Sequence, residues 1–102
     1  MINPRNKGND YEREIVNSLK KNGIKAKRAW GSTGQSLGMH EEVDIAIYKD
    51  LETYKIQAKR RKTISDFIKP SKHVDFQILR GDREPSYVVM RLKDFIKFVK
   101  KG

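Results

Sequence analysis

Apolar and polar positions follow two different rhythms along this chain of 102 residues. From Asn9 to Asn22 the apolar residues are Tyr11, Ile15, Val16 and Leu19, a spacing that a rotation of about 100° per residue gathers into one stripe. The pattern predicts a helix over Asn9 to Asn22. Gly23 closes it, a residue suited to the left-handed position just past a helix end. Residues 1–8 are polar and are expected to be flexible. Within the helix, Glu12 falls inside the apolar stripe, whereas Arg13, Glu14, Asn17, Lys20 and Lys21 fall outside it. A carboxylate aimed at the interior is costly unless it is paired or binds a cation. In a first turn it can instead meet water or the helix dipole, and the spacing alone leaves both readings open.

The rhythm then changes to two. Ile24, Ala26, Arg28 and Trp30 share one parity and predict a strand from Ile24 to Trp30. "GSTGQSLG" follows, a glycine-rich loop without the Lys-Ser/Thr ending of a phosphate-binding P-loop. It could still approach a phosphate backbone closely. From Glu42 to Tyr48, Val43, Ile45 and Ile47 alternate with Glu42, Asp44, Ala46 and Tyr48. From Tyr54 to Lys59, Ile56 and Ala58 alternate with Gln57 and Lys59. The intervening "KDLE" reads as a hairpin loop. If Tyr48 pairs with Thr53, Asp44 stands opposite Gln57 and Glu42 opposite Lys59, bringing four polar side chains to one patch. A one-residue slip in the loop would separate them, and the wet face of an ordinary hairpin would look the same.

Beyond this, Ser65 to Lys72 reads as a short helix interrupted by Pro70. His73 to Arg80 and Ser86 to Leu92 suggest a second hairpin around "GDREP". Leu92, Phe95, Ile96 and Val99 predict a final helix over Lys93 to Lys100. The order is α-β-β-β-α-β-β-α, an α/β chain of a length that suits a single domain. His40 and His73 carry no metal-ligand spacing and suit surface or loop positions.

Composition narrows the partner. With no cysteine the chain has no disulfide and no thiolate metal site. It has no apolar run long enough to span a membrane and no leader-like N-terminus. A soluble, cytoplasmic protein is expected, in the host cell if the source is viral, with no membrane partner. The net charge of +10 points to a polyanion. The charge is also clustered, since five of the eight residues from Lys55 to Lys62 are basic, which favours nucleic acid over a merely solvated face.

Taken in order, "NKGNDYERE", "KRAWGS", "EEVDIAIY" and "IQAKRRK" resemble the motifs of the PD-(D/E)XK nuclease superfamily. Within it they are most similar to the archaeal-type Holliday junction resolvases and their viral relatives. The likeness covers roughly residues 7–62 and the rest only in pattern. It implies a restriction-endonuclease-like core, with a central mixed β-sheet flanked by helices. It also implies a metal-dependent DNA endonuclease using Mg²⁺, for which Mn²⁺ substitutes, acting as a homodimer on four-way or otherwise branched DNA. By the same resemblance Glu12, Asp44, Gln57 and Lys59 form the catalytic set, with Asp44, Gln57 and Glu12 at the metal. Arg13, Arg28 and Ser32, with Arg60, Arg61 and Lys62, meet DNA phosphates. The departure is Gln57, where the family pattern prefers glutamate. An amide oxygen still suits a hard cation, but it brings no charge, so Glu12, Glu41 or Glu42 would have to restore it. A degenerate, binding-only protein of the same fold and a nicking or restriction-like nuclease for linear duplex are the alternatives.

Overall fold

The computed structural model describes residues 4–29 and 34–101, with the backbone alone for residues 4–8. The chain forms two compact units, residues 1–60 and residues 61–102.

In the first unit, helix α1 (Pro4–Lys21) begins earlier than the apolar stripe predicts. Proline is well suited to a first helical position, where its missing N–H leaves nothing unsatisfied. The other end matches expectation. Gly23 is left-handed (φ 77°), its amide donates to the Lys20 carbonyl at 2.9 Å, and the Ile24 amide reaches back to the Leu19 carbonyl at 3.0 Å. This crossed pair of bonds satisfies carbonyls that a helix end would otherwise leave orphaned. Lys20 and Lys21 in the last turn complement the helix dipole.

Three antiparallel strands follow, β1 (Lys25–Arg28), β2 (Ile45–Lys49) and β3 (Glu52–Ile56), with β2 in the middle. The register between β2 and β3 is the predicted one, with Tyr48 paired to Thr53. The turn is tighter than "KDLE" suggested, because Lys49 pairs with Glu52 and only Asp50 and Leu51 remain outside the ladder. Asp50 takes the left-handed conformation (φ 53°), which aspartate tolerates better than most residues. Between β1 and β2 runs a single 3₁₀ turn, Gly34–Leu37.

Ile15, Val16 and Leu19 of α1 are buried, as are Ile24, Ala26 and Ala29 around β1, and Val43, Ile45 and Ile47 along β2. Ala46, expected on a wet face, is also fully buried. It is the central position of a cross-strand row, with Lys27 on one side and Lys55 on the other.

The second unit holds the hairpin β4 (Phe76–Leu79) and β5 (Tyr87–Met90), then helix α2 (Leu92–Lys101). Ile96 and Val99 of α2 are buried, and the Phe98 ring lies 5.5 Å from that of Phe76, within the range of favourable aromatic pairs. The helix expected over Ser65 to Lys72 does not form. Pro70 lacks the needed N–H, and Ser65 and Ser71 accept hydrogen bonds through Oγ from the amides of Phe67 and His73, which favours turns over helix. Arg91 ties this segment down, donating to the carbonyls of Ser71 at 2.7 Å and Val74 at 3.1 Å.

Among the described residues all strand pairing is therefore antiparallel, in two sheets, where the resemblance led us to expect one mixed sheet. Leu19 is wholly inaccessible to solvent. Leu19→Ala should lower unfolding free energy by about 2–5 kcal/mol, measured by urea denaturation.

Candidate active site

Asp44 stands at the entrance to β2 and is held from both sides. Its carbonyl accepts from the Ala29 amide at 2.8 Å and its own amide donates to the Ile56 carbonyl at 2.9 Å. Its Oδ2 accepts from the Ala58 amide at 2.8 Å. Only 9% of the residue is exposed, so the carboxylate is confined to one orientation.

That last bond also changes the expected geometry. The ladder ends at the pair Ile45 and Ile56, because the Ala58 N–H goes to a side chain instead of continuing the sheet. Gln57 and Lys59 thus lie beyond β3, and the predicted pairs of Asp44 with Gln57 and Glu42 with Lys59 are not formed. The same bond nevertheless brings the Gln57-Ala58-Lys59 segment to Asp44, with exposed Gln57 and Lys59 on either side of the anchored residue.

Glu12 points inward as its place in the stripe predicted, and is 5% exposed. Arg28 on β1 supplies a cation, its Nη1 3.5 Å from Glu12 Oε1. The arginine expected at a DNA phosphate is thus also the partner of the buried carboxylate. Arg13 lies on the outer surface of α1, 3.4 Å from Asp10 Oδ1, beside an open groove lined by Glu14, Asn17 and Lys21. Arg60, Arg61 and Lys62 are exposed in a stretch without regular structure. Ser32 and Trp30 lie outside the described residues.

Part of the polar patch suggested by the hairpin register survives the loss of those pairs. Glu42 and Gln57, with His40, Val43, Lys55 and Ile56, line an open cleft of about 360 Å³. The turn carrying Glu42 is fixed locally. The Glu42 amide donates to His40 Nδ1 at 3.1 Å, and the Val43 amide to the His40 carbonyl at 3.0 Å. Gly34 packs beneath it, where an added Cβ would overlap the His40 carbonyl oxygen and stand 2.9 Å from Val43 Cβ. Nothing in residue spacing announces this packing.

No three His, Asp or Glu side chains gather into a metal-binding group among the described residues. Asp44 nonetheless offers a carboxylate, and Gln57, next in sequence to the Ala58 amide that holds it, an amide oxygen; Mg²⁺ commonly takes one or two carboxylates, completing its shell with water and substrate phosphate. The residues present therefore fit a hard divalent cation.

Residues 3–81 match the family model described as archaeal Holliday junction resolvase (Hjc). The chain belongs to that family. No curated protein and no solved structure gave a significant match. The Hjc resolvases are nucleases of DNA recombination, metal-dependent in general, that act on DNA junctions. The helices and antiparallel sheets of this chain agree with their restriction-endonuclease-like fold. The Hjc match runs from α1 into the β4–β5 hairpin and includes Glu12, Arg28, Asp44, Gln57 and Lys59.

The buried ion pair gives a direct test. Arg28→Ala removes a cation from a buried carboxylate and should destabilise the chain by about 3 kcal/mol. Adding Glu12→Gln to Arg28→Ala should recover most of that loss in urea denaturation.

Proposed function

We propose that the chain is an Mg²⁺-dependent endonuclease that hydrolyses phosphodiester bonds at four-way DNA junctions as a homodimer. The observation that carries the reading is the bond from the Ala58 amide to Asp44 Oδ2. It orders a buried acid beside an oxygen donor, Gln57, and a compact cation, Lys59.

In this reading Asp44, the Gln57 amide oxygen and Glu12 hold the metal, and Mg²⁺ once bound supplies polarisation of a phosphoryl oxygen and a more acidic water. The remaining work belongs to the side chains. Lys59 stabilises negative charge as it develops on the attacked phosphate. Arg60, Arg61 and Lys62 grip the backbone beyond the cut, while Arg13, Arg28 and Ser32 contact phosphates around it. Arg28 has a second task in neutralising Glu12. Two copies of the chain would present two such sites to two of the four strands of a junction.

Gln57 supports a second reading, a junction-binding protein without cleavage, since an amide lowers the charge offered to a cation.

A labelled four-way junction and a linear duplex of matching sequence, each with Mg²⁺ and with EDTA, test the proposal. Cutting of the junction alone, only with Mg²⁺, is expected. Asp44→Ala should reduce it by at least about a hundredfold, because several kcal/mol of charge stabilisation depend on the held metal. Tight binding without cutting would establish the second reading, and equal cutting of both DNAs a linear-duplex nuclease. Replacing Arg60, Arg61 and Lys62 together by alanine should flatten the plot of log affinity against log salt by about 2.7, at about 0.9 for each phosphate that is no longer neutralised.

A further inference from the structure

Two adjoining rows of the three-stranded sheet hold three lysines and no acid. By the pairing register, Lys25 stands in line with Tyr48 and Thr53, and Lys27 in line with Ala46 and Lys55. Directly paired residues take the same side of a sheet, so these six share one face. The alternate positions Ala26, Ile45 and Ile47 are buried on the other. Lys25, Lys27 and Lys55 are exposed, and none has an ion-pair partner among the described residues.

Strand geometry fixes the spacing of this patch. Lys25 and Lys27 are about 7 Å apart along β1, and Lys27 and Lys55 about 10 Å apart across β2. Tyr48 holds one corner, with Lys25 Nζ 5.8 Å from its ring centroid, within reach of a cation–π attraction. Like charges gathered on one face cost free energy in the isolated protein, a cost that a polyanion removes. Duplex DNA carries about one phosphate charge per 1.7 Å of axis, so a stretch as long as the patch offers enough phosphates for all three ammonium groups.

The patch also leads to the proposed cut. Lys55 lines the cleft that holds Gln57. Asp44 lies two residues from Ala46, about 7 Å along the strand, and shares its parity. Its backbone bonds to Ala29 and Ile56 continue the extended chain to that point.

We infer that Lys25, Lys27 and Lys55 form a phosphate-binding surface, separate from Arg60, Arg61 and Lys62, that carries the duplex arm leading away from the cut. The family acts on DNA junctions, and this face meets the arm by charge complementarity. The inference rests on the proposed function for the position of the cut, and not for the metal.

The test compares the full-length wild-type chain with Lys25→Gln/Lys27→Gln/Lys55→Gln and with Asp44→Ala. A control, Lys93→Gln/Lys100→Gln/Lys101→Gln, removes the same charge from exposed positions of α2. Affinity for a labelled four-way junction is measured in EDTA over a range of salt, and cutting in Mg²⁺. All six lysines are exposed, so both triple variants should melt like the wild type. The sheet variant should bind at least about tenfold more weakly at about 0.1 M salt. Its plot of log affinity against log salt should flatten by about 2.7, at about 0.9 for each phosphate, and that of the control by less than about 0.9. Asp44→Ala should bind like the wild type and lose cutting. Wild-type affinity and slope in the sheet variant, with cutting still lost in Asp44→Ala, would overturn the inference and leave the proposed function standing. Equal losses in the two triple variants would also overturn it, since net charge alone would then carry the effect. Undiminished cutting by Asp44→Ala would overturn the proposed active site and, with it, the placement of this surface beside the cut.

Discussion

The hydrogen bond from the Ala58 amide to Asp44 Oδ2 is the constraint on which the proposed active site of the first unit depends. A buried carboxylate needs hydrogen bonds to offset lost hydration, and here one donor comes from the chain just past β3. The same bond ends the β2–β3 ladder, since the Ala58 N–H cannot serve both a carboxylate and a strand partner. Gln57 and Lys59 are thereby released from the pleat and placed on either side of an anchored residue. Strand termination and the anchoring of this segment to Asp44 are one event.

A second buried acid is handled differently. Glu12 sits on the packed face of α1 and is answered by Arg28 of β1, so the pair joins helix and sheet by charge as well as by the apolar packing of Ile15, Val16 and Leu19. Removing water from two ions costs more than an ordinary surface pair. The arrangement is better understood as setting the position of α1 over β1 than as a source of stability.

The loop between β1 and β2 gains its shape from small, local restraints. Gly34 is buried against His40 and Val43, and the His40 ring receives the Glu42 amide. His40, which has no ligand spacing in the sequence, thus shapes the loop. In the second unit Arg91 does comparable work, holding the carbonyls of Ser71 and Val74 in a segment whose serines and proline cannot build a helix.

Local repetition determined much of this by itself. The α1 stripe with Glu12 on its inner face and the stripe of α2 follow from a period of about 3.6, the stop at Gly23 from the residue type, while the pairing of Tyr48 with Thr53 was one register that the short loop allowed. The ordered motifs around Glu12, Arg28, Asp44 and Lys59 were legible for the same reason, being short and continuous in sequence. Tertiary structure alone decided that β3 stops at Ile56, that Arg28 serves Glu12, and that Ala46 is fully buried. Each depends on a donor, a cation or a side chain contributed by a distant segment. A repeating pattern reports which face a residue takes, but the partner it meets there is set only when the strands and helix have packed.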